Sequence, residues 1–205
     1  MELLVATTNP GKLAEIEAVF KNLPVQVIPL SALSGWPKVV EDGKSFKENA
    51  LKKARTLADF SGYLTMADDS GLEVDALNGA PGIHSARYSG EDADDARNNE
   101  KLLQALVHVP QEKRSARFVC VIALCSPILN GKKEWLFYGE CEGWIAFEPR
   151  GENGFGYDPL FFYPPLGKTF GEIDRETKGG VSHRGKALAK LKQALPSLLH
   201  AMTNP

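Results

Sequence analysis

The segment "MADDSGLEVDALNGAPGIHSARYSG", Met66 to Gly90, sets two adjacent carboxylates, Asp68 and Asp69, at the end of an apolar run. Small residues and one basic side chain, Arg87, follow. Like charges side by side repel, so a buried pair must share a proton or face a cation. Hard carboxylate oxygens without cysteine or clustered histidine suit Mg2+, which binds one or two carboxylates together with phosphate oxygens and water. A turn in which Asp68 serves only as a local cap is the plain alternative. Two further stretches could complete such a site. In "TTNPGK", Thr7 to Lys12, a tight turn enters a helix with a lysine in its first turn. Free backbone N–H groups, the helix dipole and Lys12 would favour a phosphate there, although an ordinary capped helix would look the same. A Walker loop it is not, because that needs a longer glycine run before its lysine. In "NGFGYDPLFF", Phe155 and Tyr157 stand among glycines in a loop-like segment and can offer an aromatic face to a planar ligand. Downstream, "KGGVSHRG" supplies His183 and Arg184 as donors to that ligand's edge, unless Ser182 merely caps a helix.

The elements that must hold these groups follow from the hydrophobic pattern. "ELLVATT" predicts a short buried strand, and "NPGKLAEIEAVFKN" a helix with Leu13, Ile16, Val19 and Phe20 on one side, capped by Asn9 and opened by Pro10. "VQVIPL" predicts a second strand, followed by an irregular connection from Ser31 to Lys44. In "SFKENALKKARTLADFSG", Ser45 and Glu48 form a capping box, Phe46, Ala50, Ala54 and Leu57 an apolar stripe, and Gly62 a stop. Lys53 lies off that stripe and by itself reads as a solvated lysine; Glu41 lies in the loop before the helix. "YLTMA" predicts a strand that delivers the aspartates at its C-terminal end, where open α/β sheets place ligands. "DADDARNNEKLLQALVHV" predicts a helix with acidic residues in its first turn. "ARFVCVIALCSP", "KEWLFYGECEG" and "WIAFEP" predict three strands, the first two joined by an Asn130-Gly131 turn. "HRGKALAKLKQALPSLLHAM" predicts an amphipathic helix bent or broken at Pro196. Helices concentrate in the first half and adjacent strands in the second, which predicts a mixed sheet.

Composition narrows the function classes. A chain of 205 residues, 43% hydrophobic, can bury one substantial core as a single domain. Lys and Arg total 24 against 26 Asp and Glu, a net charge of -2 that is no footprint for duplex nucleic acid. Cys120, Cys125 and Cys141 show no CxxC spacing, which argues against a disulfide framework or zinc and for a reducing compartment. No apolar run approaches the ~20 residues of a membrane span, and the strand-like start leaves no room for a signal peptide, so a cytoplasmic protein is expected.

Taken in order, Thr7, Asn9 and Lys12, then Glu41, then "ADDSGLEVDALNGAPGIHSARYSG", "FGYDP" and "SHRG" resemble the inosine/xanthosine triphosphate pyrophosphatases, from about residue 3 to about residue 195. Thr8 departs from the glycine common there and touches only the fine shape of the phosphate loop. The resemblance implies a two-lobed ITPase-like α/β fold over residues 1–205 with a long mixed central sheet and flanking helices, a cleft between the lobes, and a homodimer. It implies Mg2+-dependent hydrolysis of non-canonical purine nucleoside triphosphates to monophosphate and pyrophosphate. Asp69 is then the proton acceptor and, with Glu41, the metal site; Asp68 is a supporting acid. The loop Thr7, Thr8, Asn9, Pro10, Gly11 and Lys12, with Lys53 and Ser70, would hold the triphosphate. Phe155 would stack on the base within Phe155, Gly156, Tyr157 and Asp158, and Lys178, His183 and Arg184 would line its edge with Asp158. A pyrophosphatase for other modified nucleotides and a catalytically silent nucleotide sensor are the rival readings; retention of the acids and both lysines speaks against the second.

Overall fold

The computed structural model describes residues 1–91, 94–127 and 133–203. One seven-stranded mixed sheet organises them, in the order β2-β1-β3-β4-β5-β6-β7. The strands are β1 (Glu2–Val5), β2 (Gln26–Pro29), β3 (Leu64–Val74), β4 (Ser115–Cys125), β5 (Glu134–Ile145), β6 (Phe161–Tyr163) and β7 (Lys168–Thr169). β1 pairs in parallel with β2 and β3, and every later pairing is antiparallel. The helices are α1 (Pro10–Phe20), α2 (Phe46–Ser61), α3 (Asp95–Ala105), α4 (Arg175–Val181) and α5 (His183–Thr203).

Local chemistry sets the ends of these elements. Asn9 caps α1, its Oδ1 accepting from the Lys12 N–H at 3.0 Å, with Pro10 in the first turn where no N–H is needed. Ser45 caps α2 by accepting from the Glu48 N–H at 3.2 Å, but the expected reciprocal bond shifts by one residue: Glu48 Oε2 accepts from Lys44. Gly62 ends α2 in the left-handed conformation at φ 73°, which a side chain would oppose.

One core packs α1 and α5 on one sheet face, with Ile16, Phe20, Met66, Ile122 and Leu191 buried together. Another packs the Phe46, Ala50, Ala54 and Leu57 stripe of α2 on the opposite face. A third joins the far ends of β3 to β5 with Tyr157, Phe161 and Phe170.

Three strand expectations need correction. β3 does not stop before the aspartates: it runs through Asp68 and Asp69 to Val74, held by pairing with β4 along its length. The two segments "KEWLFYGECEG" and "WIAFEP" are largely one strand, β5, because Gly143 has no Cβ to collide with the Phe162 carbonyl and the pairing with β4 continues past it. β1 ends at Val5, three residues short of the predicted run. α5 carries on through Pro196 instead of stopping there, with Leu195 and Leu198 buried on either side. The expected Asn130-Gly131 turn lies outside the described residues.

Candidate active site

β3 outruns β1. Their pairing ends where the Ala6 N–H meets the Met66 carbonyl at 2.8 Å, and beyond that point a cleft of about 540 Å³ opens along both faces of β3. Successive strand residues point to opposite faces, so Asp68 and Asp69 are adjacent in sequence yet separated by the sheet. Each then meets its own cations.

On the α1 and α5 face, Asp68 lies 3.0 Å from Lys12 Nζ and accepts from Arg184 Nε at 2.9 Å, with Cys120 Sγ 3.7 Å away. Burial alone would raise its pKa, but the charges of Lys12, Arg184 and Lys53 prevail and hold the carboxyl well below its ordinary range. Asp68 is therefore a fixed anion. On the α2 face, Asp69 lies 3.4 Å from Lys53 Nζ, and its Oδ2 is buried with no hydrogen-bond partner among the described residues. Burial and the nearby Glu41 push its pKa up to about 6 against the pull of Lys53 and Lys12. Asp69 is thus the carboxyl poised to exchange a proton near neutral pH.

Lys53 is not a solvated lysine. It is partly buried, held between Glu41, at 2.9 Å, and Asp69. Burial opposes its charge, yet Asp69 and Glu41 raise its pKa and keep it protonated. Glu41, on the connection before α2, is held ionised by Lys53 against its own burial. That connection is pinned from two sides: the Gly43 N–H donates to Asn49 Oδ1 at 2.8 Å, and Arg87 Nη2 donates to the Glu41 carbonyl at 3.1 Å.

Fit to a divalent cation can be judged from these contacts. An ammonium bridges Glu41 and Asp69, and both carboxylates line the cleft. Among the described residues no group of three or more His, Cys, Asp or Glu could cage a metal. Two carboxylates plus ligand oxygens and water suit Mg2+, which seldom takes an all-protein cage.

At the other end of the cleft, Phe155 lies with Lys178 Nζ 4.6 Å and the Arg184 guanidinium carbon 5.6 Å from its ring centre. A Cβ at Gly11 would stand 2.5 Å from Phe155 Cδ1, so the glycine lets the ring seat against α1. Asp158 Oδ2 accepts from the Phe155 N–H at 2.8 Å and from Lys178 Nζ at 2.6 Å, which spends this carboxylate on holding the loop and the lysine together. Burial raises its pKa, and Lys178 opposes the rise. Arg184 is 1% exposed, and beyond Asp68 it donates to Glu15 at 2.6 Å and to Ser70 Oγ at 2.7 Å. Burial, then Arg184 and Lys178, drive the His183 pKa well below its ordinary value, so the ring is neutral; it stacks on Phe118 at 4.6 Å, and its Nδ1 has no partner among the described residues. Ser182 does cap α5, accepting from the Gly185 N–H at 3.1 Å, and that cap is what aims His183 and Arg184 inward.

Thr7, Thr8, Asn9, Lys12, Glu41, Lys53, Asp69, Ser70, Phe155, Gly156, Tyr157, Asp158, Lys178, His183 and Arg184 all line this one cleft. Pro10 and Gly11 do not, and serve the helix start and the Phe155 seat. Tyr157 is no free stacking face: it is 4% exposed and its hydroxyl donates to the Ser85 carbonyl at 2.8 Å. Sequence reading passed over Glu15, which also accepts from Lys178 at 2.9 Å, because its partners lie 163 and 169 residues away. Asn49 and Asp95 were likewise unmarked, since each reads as an ordinary helix residue.

The Ham1 family profile matches residues 3–194. A dITP/XTP pyrophosphatase of Geobacter sulfurreducens is 55% identical over 193 residues, spanning 94% of this chain and 96% of that protein. A dITP/XTP pyrophosphatase of Desulforamulus reducens is 51% identical, spanning 97% of each. Among solved structures, a HAM1 protein from Coxiella burnetii superposes with a TM-score of 0.87 at 43% identity, covering 96% of this chain and 99% of the other.

Proposed function

The chain belongs to the Ham1 family, and from that premise we propose that it hydrolyses non-canonical purine nucleoside triphosphates, ITP, dITP, XTP and dXTP, to the monophosphate and pyrophosphate. Such an activity keeps deaminated purines out of nucleic acids. One observation carries the reading: a single cleft joins a carboxyl of pKa about 6 and two partly buried lysines at one end to an aromatic ring with buried donors at the other.

The chemistry follows from these groups. The turn Thr7 to Asn9, Lys12 and Lys53 bind the triphosphate and offset its charge, while Ser70, already held by Arg184, lies beside them. Asp69 orients a water toward the phosphorus and takes its proton, which its position near neutral pH allows. Glu41 and Asp69 would hold Mg2+, which when bound neutralises developing charge on the phosphate oxygens. Asp68 stays ionised and holds Lys12 and Arg184 in place.

The base stacks on Phe155. Lys178 carries only donors when charged and Arg184 carries only donors, so their remaining N–H groups favour the 6-oxygen of hypoxanthine or xanthine and reject the amino group of adenine. A homodimer is part of the proposal: Leu136 and Tyr138 stand exposed side by side on one face of β5, with Glu140 and Glu142 beyond them, a mixed apolar and acidic face that a partner could cover. No helix among the described residues is long and apolar enough to cross a membrane, and three buried free cysteines fit a reducing cytoplasm. Pyrophosphate release measured with ITP, dITP, XTP, ATP and GTP, with and without Mg2+, tests the reading. Equal rates on ATP and ITP would refute the substrate class, and unchanged rates in chelator would refute the metal.

A further inference from the structure

The inner face of α3 is unusual for a helix that packs on a core. Its first two turns present Asp95, Asn98 and Asn99 at the spacing where apolar residues would be expected, and only then Leu102, which is fully buried. These polar side chains spend themselves on backbone. Asn98 Oδ1 accepts from the Ser89 N–H at 2.7 Å, and its Nδ2 donates to the Ala86 carbonyl at 3.1 Å. Asp95 Oδ2 accepts from the Gly156 N–H at 2.7 Å, and Asn99 Nδ2 donates to the Gly156 carbonyl at 2.9 Å. Among the described residues Asn99 Oδ1 is buried without a partner, and the bond from Nδ2 to the Gly156 carbonyl is the one that anchors the side chain.

Gly156 follows Phe155 directly and adopts φ 62°, a left-handed conformation that glycine reaches without steric cost. Both of its backbone groups are taken by α3, 61 and 57 residues away in sequence. Phe155 is held on its other side by Asp158, and no helix or strand contains either residue. Phe155 is flanked by two left-handed glycines, Gly154 and Gly156, so α3 supplies the backbone anchor on its C-terminal side while α1 seats the ring.

We propose that Asp95 and Asn99 are positioning residues that clamp Gly156 and so fix the Phe155 ring as the platform for the base. The proposal rests on the reading of Phe155 as that platform. A ring that contacts the base equally in the ground and transition states contributes uniform binding, so loosening it raises KM and leaves kcat alone.

Steady-state kinetics on inosine triphosphate test this with Asp95→Ala and Asn99→Ala. Each should raise KM about 10-fold with kcat within about 2-fold of the parent, as expected for loss of one hydrogen bond that orders a binding group. Asp95→Asn keeps an acceptor oxygen and should restore most of the parental KM. Introduced into Phe155→Ala, Asp95→Ala should add nothing further. An unchanged KM in both alanine variants, a fall in kcat alone, or the same KM rise in the Phe155→Ala background would each overturn the clamp. If Asp95→Ala fails to fold, Asn99→Ala, which removes a neutral hydrogen bond, carries the same comparison. Should the parent turn over no deaminated purine triphosphate, the functional reading fails by itself. The clamp is then judged by amide exchange across residues 154–157, which speeds in Asp95→Ala if the clamp holds the loop and stays unchanged if it does not.

Discussion

Replacing Asp69 by Asn should slow hydrolysis and stabilise the protein at the same time. In the fold the Asp69 carboxyl is pushed from its ordinary value of 3.8 up to about 6, chiefly by burial, with Glu41 adding to the rise and Lys53 and Lys12 opposing it. The folded chain therefore binds this proton more tightly than the unfolded chain. Below about pH 4 both states carry it and the group is neutral in the balance. Between about pH 4 and 6 only the unfolded state releases the proton, so stability falls across that window and levels off above it, where the folded state holds a charge that it disfavours. The difference between 3.8 and about 6 corresponds to roughly 3 kcal/mol at about 1.4 kcal/mol per pH unit. An amide keeps the shape without that cost. Metal-free Asp69→Asn should accordingly be more stable than the parent by up to roughly 3 kcal/mol at pH 8, a rise in Tm of about 6 to 12 °C, and equal to it below about pH 4. Its kcat should fall about 100-fold to 10,000-fold, because the amide can neither take a proton nor serve a cation. Thermal unfolding at both pH values in chelator, alongside pyrophosphate release, reads both effects. A lower Tm for the variant at pH 8, or a retained kcat, would refute the account of Asp69 as a strained base.

Mg2+ should raise the Tm of the parent by relieving the repulsion between Glu41 and Asp69, and Glu41→Gln should lose most of that rise; thermal scans over a Mg2+ titration check it. Lys12→Ala and Lys53→Ala should each lower kcat/KM by roughly 10-fold to 100-fold on every triphosphate while leaving the ITP to ATP ratio within about 2-fold, since both cations pair with the carboxylates of the phosphate end. Gly11→Ala places a methyl 2.5 Å from Phe155 Cδ1 and should raise KM for ITP by about 3-fold to 10-fold with little change in kcat, read by steady-state kinetics.

Sequence by itself determined much of this protein. Asn9 with Pro10, Ser45 and Gly62 fixed helix ends because capping is local chemistry, decided within three or four residues. The α2 stripe was legible because burial of one helix face leaves a period in the sequence. The order of Thr7, Lys12, Glu41, Asp69, Phe155 and Arg184 pointed to the cleft those residues line. What the sequence did not decide is which way each charged side chain faces. Asp68 and Asp69 look like a repelling pair at a strand end; only the length of β4, which carries β3 on to Val74, makes them strand residues and sends them to opposite faces. Lys53 looks solvated until the Glu41 connection and β3 close around it. Arg184 looks like a free donor until Asp68, Glu15 and Ser70, each more than a hundred residues away, converge on its guanidinium. Contacts across such separations leave no local period or cap. They exist only once the sheet has set its register, and the tertiary structure therefore decides which of these charges are structural and which remain to act.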